Sequence, residues 1–277
     1  MDLITADAEY VRVFGGTGRP VITRVKQVSA EDLLVDFEGG NAGDHARALA
    51  IVHRILGTDR DVSQFERAAR GVPWLRDLVV RMRGVKPPRY PTLWEACVNA
   101  ILFQQVSLMA ASSISRRVVL ALGEPVAWGQ TALYSFPDAD RLRVADDGVL
   151  RAAGVSASKL ATLRRVADTL ESRALDEATL EALPSPAAAA VLCRIKGIGP
   201  WTATIILLRG LGRLDVFPMN DSSVVRNLAF VAGTTHLEID EVLAALGAQR
   251  GMLYYYLLLA RLEMRGDVGR ASTAPAA

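Results

Sequence analysis

The stretch of sequence that decides the fold is Leu192-Cys193-Arg194-Ile195-Lys196-Gly197-Ile198-Gly199-Pro200-Trp201-Thr202-Ala203. Its apolar spacing predicts one helix that ends near Ile195 and a second helix that begins near Pro200. Between them, Gly197 and Gly199 are expected to form a tight turn in which both glycines can adopt positive φ. Proline suits the first turn of the second helix, because the N–H that it lacks would have no helical partner there.

The turn between these two helices has the properties of an anion site. Its free backbone N–H groups lie at a helix N-terminus, and the missing side chains of Gly197 and Gly199 let a phosphate approach the main chain. Lys196 and Arg194 add positive charge beside it. A bare Gly-x-Gly is also common in ordinary helix-helix turns, and for the glycines alone that interpretation stays open. The flanking apolar residues make the pattern more specific.

A lone carboxylate follows this turn at a fixed separation along the chain. The segment Val216-Phe217-Pro218-Met219-Asn220-Asp221 places Asp221 twenty residues after Trp201, and the residues that follow it read as the start of another helix. Asp215, on the same connecting loop, is expected to be exposed or to anchor a nearby arginine. A phosphate clamp and a carboxylate at a set separation form an arrangement suited to chemistry on DNA.

These motifs resemble those of the helix-hairpin-helix base-excision DNA glycosylases, and within them the 3-methyladenine DNA glycosylase II group. A second block, Leu93 to Ser107, is similar to the family helix that ends in Gln-Gln-(Val/Ile)-Ser, here Gln104-Gln105-Val106-Ser107. The resemblance covers residues 85–265 well and the first 85 residues only in general layout. It implies a mainly α fold, in which a helix-hairpin-helix DNA glycosylase domain follows a small N-terminal α+β lobe with an antiparallel sheet.

Sequence patterns divide the chain into three parts. Residues 1–85 are predicted to form the N-terminal α+β lobe, residues 86–268 the helix-hairpin-helix glycosylase domain, and residues 269–277 a disordered tail. In the lobe, short strands over 10–14, 21–28 and 33–37 are predicted to precede a helix over 44–56, with the glycine-rich residues 15–20 in a hairpin loop. From Val62 onward the prediction is almost wholly helical.

Composition sets limits on the function. The chain has 277 residues, of which 51% are hydrophobic and 22% charged, and its net charge is +2. It is therefore expected to be globular, without the strong basic excess of a protein that coats DNA. A repair enzyme that scans DNA needs only a local basic face. No apolar run reaches membrane length, so we expect no membrane partner and a cytoplasmic or nucleoid-associated location.

Cysteine and histidine usage argues against a metal cofactor. Cys97 and Cys193 are expected to be buried thiols in a reducing compartment. Two cysteines exclude the four-cysteine iron-sulfur cluster that some helix-hairpin-helix glycosylases carry. His45, His53 and His236 lack the spacing of metal ligands, so a transition-metal site is not expected.

Asp221 is the candidate catalytic residue, by position and by resemblance. Breaking an N-glycosidic bond builds positive charge on the deoxyribose. A carboxylate near C1′ therefore stabilises the transition state, and it can orient or deprotonate the attacking water. An aspartate before a helix can instead be merely an N-cap. The two roles are compatible, because a capping aspartate is held rigidly.

The residue at position 201 bears on the type of reaction. In the bifunctional branch of the resembled superfamily, a lysine two residues after the second hairpin glycine forms a Schiff base, and the enzyme then also cleaves the DNA backbone. Here that position holds Trp201. The covalent imine route is therefore expected to be absent, and the product is expected to be an abasic site. Lys196 lies inside the hairpin and is expected to face phosphate.

The resemblance also implies base flipping, which requires a wedge that fills the vacated stack and a pocket for the flipped base. Gln104 and Gln105 match the wedge region of the family, and Gln105 is expected to enter the gap and hydrogen-bond the orphaned partner base.

Aromatic side chains are expected to line the pocket, namely Trp201, Phe103, Tyr254 and Tyr255. At least one of the three consecutive tyrosines at 254–256 is expected in the core. Cationic alkylated purines stack on aromatic faces with a cation–π contribution of about 0.5 to 2 kcal/mol. Ile205 stands where the best-known member of the group has a tyrosine, which predicts a less aromatic, differently shaped pocket.

The resulting hypothesis is a monofunctional DNA glycosylase that hydrolyses alkylated purines, 3-methyladenine above all, from duplex DNA. It is expected to act as a monomer on double-stranded DNA with no organic or redox cofactor. The resemblance allows Na⁺ or K⁺ at the hairpin, held by the backbone of Cys193, Ile195 and Ile198. DNA contacts are expected from Lys196, Gly197, Ile198, Gly199, Thr202 and Ala203. The alternatives are a glycosylase for deaminated or oxidised purines and a non-catalytic helix-hairpin-helix DNA-binding module.

Overall fold

A four-stranded antiparallel sheet begins this computed structural model, which describes residues 2–15, 19–219, 221–233 and 239–266. The strands are adjacent in chain order: β1 (Leu3–Ile4), β2 (Tyr10–Phe14), β3 (Val21–Gln27) and β4 (Leu33–Glu38). Their β-branched and alternating residues favour strands, as predicted. The predicted loop between β2 and β3 falls partly on residues 16–18, which lie outside the described residues.

Helix α1 (Ala42–Leu56) covers one face of this sheet. Asn41 caps the helix, and the Asp44 carboxylate accepts a hydrogen bond from the Asn41 N–H, which completes a capping box. The apolar stripe of the helix therefore turns toward the sheet. A small core of their own joins the two elements, made of Phe14, Val21, Val25, Ala48 and Val52.

The opposite face of the sheet meets a second, two-stranded sheet that the sequence analysis missed. Strands β5 (Pro125–Trp128) and β6 (Thr131–Tyr134) pair antiparallel. Leu133 of β6 packs in one cluster with Val11 and Ile22 of the lobe. The prediction of an almost wholly helical chain after Val62 was therefore wrong here, because four-residue strands are too short for their alternation to be recognised.

Helices form the rest of the described chain, which confirms the mainly α fold with a small antiparallel sheet. They are α2 (Ser63–Ala69), α3 (Pro73–Arg81), α4 (Leu93–Leu102), α5 (Leu108–Leu122), α6 (Ala139–Val144), α7 (Asp147–Ala152), α8 (Ala157–Glu171), α9 (Glu177–Ala182), α10 (Ser185–Cys193), α11 (Pro200–Ile205), α12 (Ser222–Ala232), α13 (Ile239–Leu246) and α14 (Gly251–Met264). A π-helical turn (Ile206–Gly210) continues α11, and a 3₁₀ turn (Gly247–Gln249) precedes α14. Within the described ranges, no single helix is long and apolar enough to cross a membrane.

Two apolar cores hold these helices together. The first surrounds α4, whose residues are all buried except Trp94, and it includes side chains of α8, α10 and α11. The second joins α2 and α3 to α13 and α14. Because α2 and α3 precede residue 85, this second core crosses the boundary predicted between the two domains. That boundary remains a prediction from the sequence pattern. The predicted tail at 269–277 lies outside the described residues.

A buried ion pair fastens the N-terminal sheet to α4. The Nη2 atom of Arg12 lies 2.6 Å from each carboxylate oxygen of Glu95, and both side chains are almost fully buried. Such a pair offsets the cost of burying two charges only when its geometry is good, and here one guanidinium nitrogen lies within hydrogen-bond distance of both carboxylate oxygens. The lobe is therefore fixed to the helix that leads to the Gln-Gln segment.

The π-helical turn after α11 is stabilised from the same lobe. The Leu211 N–H reaches back to the Ile206 carbonyl at 3.3 Å. The Gly210 carbonyl accepts a 2.6 Å hydrogen bond from Arg54 of α1. Isolated π turns inside helices are often found at functional sites. This one carries Arg209, a cation in an otherwise apolar run.

Candidate nucleic-acid interface and active site

The hairpin has the predicted helix-turn-helix geometry, with α10 ending at Cys193 and α11 beginning at Pro200. Gly197 has a φ of +101°. A Cβ built on Gly197 would lie 2.0 Å from Thr162 Oγ1, so the backbone conformation and the packing against α8 both require glycine. Gly199 has a φ of −95°, so the expectation of positive φ was wrong there. A Cβ on Gly199 would meet nothing within 4 Å, which leaves this side of the turn open.

The hairpin presents backbone donors on its open side. The Ile198 N–H bonds the Ile195 carbonyl, and the Ala203 N–H bonds the Gly199 carbonyl. In the described part of the chain, the N–H groups of Gly197 and Gly199 have no acceptor. Two unpaired N–H groups just before a helix N-terminus suit a phosphate oxygen.

The residues predicted to contact DNA divide into two groups. Lys196 is exposed and adds charge next to the free N–H groups. Ile198 and Thr202 are 4% and 3% exposed, and Ala203 is fully buried. Because the N–H groups of Ile198 and Ala203 are also bonded within the hairpin, these two residues shape the turn from inside and have no group left for a phosphate.

Gln104 and Gln105 have different surroundings. Gln104 Nε2 donates to the Gly197 carbonyl at 2.9 Å and to Thr202 Oγ1 at 2.8 Å, so this side chain ties the end of α4 to the hairpin. Gln105 is exposed and has a φ of +54°, which a non-glycine residue rarely adopts. Its strained backbone directs the chain out of α4 next to the hairpin, and strain of this kind clusters at functional sites.

Trp201 and Asp221 are in direct contact. The indole Nε1 donates a 2.9 Å hydrogen bond to Asp221 Oδ2. The other carboxylate oxygen, Oδ1, accepts a 3.2 Å hydrogen bond from the Val224 N–H in the first turn of α12. Asp221 is thus a helix cap and is also held by the first turn of α11, so the two roles considered for it are compatible in the structure.

Not all of the aromatic residues that were predicted to line the base pocket are in a position to do so. Tyr255 is 2% exposed, and its hydroxyl donates to the carbonyls of Leu208 and Pro88, at 3.2 and 3.3 Å. It belongs to the core, so its predicted role in the pocket is not supported. Tyr254 and Phe103 are half-buried at the edge of the first core, as is Trp201. Of these three, Trp201 contacts Asp221 directly.

Arg209 and Tyr90 were missed by the sequence analysis. The guanidinium of Arg209 stacks 5.0 Å from the Tyr90 ring centroid and 5.7 Å from that of Tyr255. Burial raises the pKa of the Tyr254 hydroxyl, and the charge of Arg209 opposes the rise. The sequence does contain a signal for Arg209, which is the lone charged residue in the apolar run Ile205-Ile206-Leu207-Leu208-Arg209-Gly210. A charge in such a helix is expected to be buried, and a buried charge needs partners.

Cys193 and Asp215 are both exposed, and only for Asp215 was this expected from the sequence. Cys97 is buried as predicted, but Cys193 is exposed, so the expectation of two buried thiols was wrong. Cys193 is the last residue of α10, where side chains turn toward solvent at the hairpin. Asp215 is exposed as expected and accepts a 2.9 Å hydrogen bond from the Ser185 hydroxyl. In the described ranges, no cluster of His, Cys, Asp and Glu could hold a metal ion, and His236 lies outside them.

Comparison with known sequences finds DNA repair proteins. No family model matches the chain. Over 195 residues it is 33% identical to the probable bifunctional transcriptional activator/DNA repair enzyme AlkA of Mycobacterium tuberculosis, which covers 65% of this chain and 38% of that protein. It is also 28% identical to DNA-3-methyladenine glycosylase 2 of Escherichia coli, over 78% of this chain and 74% of that protein. The match thus spans well under half of the mycobacterial relative.

Comparison with solved structures finds the same fold. A 3-methyladenine DNA-glycosylase from Archaeoglobus fulgidus superimposes with a TM-score of 0.79 at 23% identity, over 93% of this chain and 88% of that chain. An 8-oxoguanine glycosylase/lyase of Clostridium acetobutylicum, in complex with double-stranded DNA, gives a TM-score of 0.75 at 15% identity, over 96% and 88%. At these identities the likeness establishes the fold, which is common to glycosylases for different bases.

Proposed function

Because this chain belongs to the helix-hairpin-helix DNA glycosylases, in the group of the DNA-3-methyladenine glycosylases, we propose that it hydrolyses the N-glycosidic bond of alkylated purines in duplex DNA. The observation that carries the proposal is the hydrogen bond of 2.9 Å between Trp201 Nε1 and Asp221 Oδ2. It holds a carboxylate at one position beside a phosphate-binding turn, which is the arrangement that the reaction needs.

DNA binding begins at the hairpin. The free N–H groups of Gly197 and Gly199 bind a backbone phosphate, and the exposed Lys196 adds charge. The adjacent Gln105 enters the stack and fills the space of the flipped nucleotide. Its exposure and its position on the connection after α4 support this role. Gln104 keeps the wedge and the clamp at a fixed distance through its bonds to the hairpin.

The flipped base is bound by aromatic faces. Trp201, Phe103 and Tyr254 are half-buried and offer ring surface to a flat, cationic purine. Alkylation at N3 or N7 gives the base a positive charge, so it stacks well and leaves as a neutral molecule. Bond breaking then requires little help at the base and mainly stabilisation of the sugar.

Asp221 supplies that stabilisation. Its carboxylate lies close to C1′ as positive charge develops there, and it orients or deprotonates the water that adds to the sugar. The fixed donors on its two oxygens keep it from rotating away. With Trp201 in place of an amine, no Schiff base forms, so the enzyme is monofunctional and leaves an abasic site.

A monovalent cation at the hairpin is part of the proposal. The backbone carbonyls of Cys193, Ile195 and Ile198 are its candidate ligands. The Ile195 carbonyl accepts one hydrogen bond, from Ile198, and retains a second lone pair. A bound Na⁺ or K⁺ would stiffen the turn and bridge to a phosphate. DNA affinity measured at constant ionic strength should fall when K⁺ is replaced by tetramethylammonium, and equal affinities would remove the cation from the proposal.

We propose further that the active unit is a monomer, because one chain holds the hairpin, the wedge and the carboxylate together. Its substrate would be chromosomal DNA carrying alkylated bases, which places it in the cytoplasm with the nucleoid. Sedimentation of the protein, alone and with a lesion duplex, tests the stoichiometry. One protein per lesion supports a monomer, and a stable dimer contradicts it.

The central experiment measures release of free base from methylated duplex DNA by the wild type and by Asp221→Asn. Strand integrity is followed before and after alkaline treatment. The expected result is release by the wild type, loss in Asp221→Asn and nicking only after alkali. Asp215→Asn is the matched control, since it makes the same change at an exposed carboxylate on the same loop.

Two outcomes would contradict the proposal. Tight DNA binding with no release from methylated DNA would favour a glycosylase for another lesion or a non-catalytic DNA-binding module. Nicking without alkali would show lyase activity and remove the monofunctional assignment.

A further inference from the structure

One face of α8 supports both parts of the proposed DNA-binding site. Lys159, Thr162 and Arg165 follow one another at three-residue steps, so they are neighbours along that face of the helix. Thr162 packs directly under Gly197, and Arg165 Nη1 donates to the Lys196 carbonyl at 3.2 Å, so these two residues support the hairpin. Lys159, at the start of the row, reaches the end of α4 instead.

The contact of Lys159 is with the last carbonyl of α4. Its Nζ donates a 2.8 Å hydrogen bond to the Leu102 carbonyl, which lies where a helix leaves carbonyls without partners of their own. In the described part of the chain, this lysine is the only donor to that carbonyl. A cation is also favoured there by the dipole of α4. Burial lowers the pKa of the ammonium, as expected for a side chain partly withdrawn from water. Lys159 is therefore a C-terminal cap of α4 that another helix supplies.

The proposed wedge stands three residues after this carbonyl. Gln105 is exposed and has a φ of +54°, a conformation that persists only where the surroundings hold the chain in it. Gln104 is bound to the hairpin, and Ser107 caps α5, so the segment is held in its middle and at its far end. Its near end is Leu102, which Lys159 holds.

We infer that Lys159 is a positioning residue for the wedge, which keeps Gln105 directed into the DNA stack by holding the last carbonyl of α4. The inference rests on the proposed function. Without the ammonium, the Leu102 carbonyl would lose its donor beside a fully buried side chain and would have to turn toward water. The last turn of α4 would then move, and Gln105 would relax to a common backbone conformation, which takes its side chain away from the stack.

A misplaced wedge should matter only when the base is hard to flip. Flipping a paired base costs unpairing and unstacking, and a base in mismatched surroundings flips at lower cost. Loss of Lys159 should therefore slow release of a paired lesion far more than release of a lesion flanked by mismatches. A lysine that only stabilised the fold or bound a phosphate would affect both substrates alike.

The experiment measures single-turnover release of 7-methylguanine from two duplexes, one fully paired and one mismatched on both sides of the lesion. Lys159→Met should lower release from the paired duplex about tenfold or more, and from the mismatched duplex less than about threefold. Lys159→Arg should restore part of the paired rate, because it restores a cationic donor. Lys159→Gln has a side chain too short to reach the carbonyl and should behave like Lys159→Met. It takes the place of that variant if melting temperatures show that the methionine prevents folding.

A double-mutant cycle with Gln105→Ala tests whether Lys159 acts through the wedge. If it does, removing the wedge side chain also removes most of what the lysine contributes. On the paired duplex, the variant with both Lys159→Met and Gln105→Ala should then be less than about threefold slower than Gln105→Ala alone. Independent effects would multiply instead.

Arg164→Met is the matched control. Arg164 is also a cation of α8 that holds a carbonyl at the end of another helix, since its Nη2 donates over 2.9 Å to the Ala145 carbonyl after α6. Its loss should leave the ratio of the paired and mismatched rates unchanged. Equal losses on both duplexes in Lys159→Met, no loss on either, or independent effects in the cycle overturn the inference. A wild type that releases 7-methylguanine from neither duplex instead contradicts the proposed function itself.

Discussion

The indole N–H of Trp201 donates to Asp221 Oδ2 across 2.9 Å, although twenty residues separate the two in the chain. This bond joins the first turn of α11, where the hairpin presents its free N–H groups, to the first turn of α12. A phosphate bound by the hairpin and a carboxylate at the cap of α12 are thereby held at one separation. In the proposed reaction, the distance between the DNA backbone and the reacting sugar would thus be set by the protein rather than by substrate binding.

Replacing Trp201 by phenylalanine tests the bond directly. Trp201→Phe keeps an aromatic face but removes the donor to Asp221. A hydrogen bond to a charged group is worth about 1.5 to 3 kcal/mol, so base release should slow by about 10- to 100-fold. Trp94→Phe is the control, because Trp94 Nε1 donates over 2.9 Å to the Pro137 carbonyl and not to Asp221. Equal slowing in the two variants would mean that the Trp201 bond has no special role.

The strained backbone of Gln105 should affect stability and activity in opposite directions. A non-glycine residue in the left-handed region costs about 1 to 2 kcal/mol, and Gln105 has a φ of +54°. Gln105→Gly should therefore raise the free energy of unfolding by about 1 kcal/mol, measured by urea denaturation. It should also slow base release from duplex DNA, because the wedge is lost. A variant that is more stable and fully active would contradict the assignment of Gln105 as the wedge.

The two hairpin glycines should respond differently to alanine. In Gly197→Ala the new Cβ meets Thr162 Oγ1 at 2.0 Å with φ at +101°, so the protein should lose at least about 2 kcal/mol of stability. In Gly199→Ala nothing lies within 4 Å of the Cβ, so the fold should keep its melting temperature. The added methyl should nevertheless weaken DNA binding, measured by fluorescence anisotropy. Unchanged affinity in Gly199→Ala would mean that phosphate does not approach this glycine.

The two thiols should differ in reactivity and in their effect on stability at alkaline pH. A maleimide should modify Cys193 in the folded protein and Cys97 only after denaturation, as mass spectrometry would show. Burial raises the pKa of Cys97 from 9.0 to about 12. The unfolded thiol thus ionises at lower pH than the folded one, and this stability contribution, fully present below pH 9, is lost as pH rises toward about 12.

The comparison with Cys97→Ala isolates that contribution. The variant lacks the thiol, so its unfolding free energy should fall less between pH 9 and 11 than that of the wild type. Parallel pH profiles for the wild type and Cys97→Ala would place the alkaline loss of stability elsewhere in the protein.

Sequence patterns predicted the elements whose residues are close in the chain. The hairpin, the long helix before Gln104 and the sheet of the lobe all follow from local spacing and from the positions of glycine and proline, and the structure contains each of them. The β5 and β6 hairpin was missed because its stability comes from packing on the sheet of the lobe, which is more than a hundred residues away in the chain.

The sequence by itself determined the helix-hairpin-helix, the position of Asp221 at the start of a helix and the exposed turn that follows α4. Each is a local feature that backbone preferences and apolar periodicity control. Only the tertiary structure decided which side chains share the site. It brings Trp201 to Asp221, turns Tyr255 into the core while Tyr254 remains at the edge, and places Arg209 against Tyr90. Contacts between distant segments depend on how whole helices pack, and no spacing within a single segment records that packing.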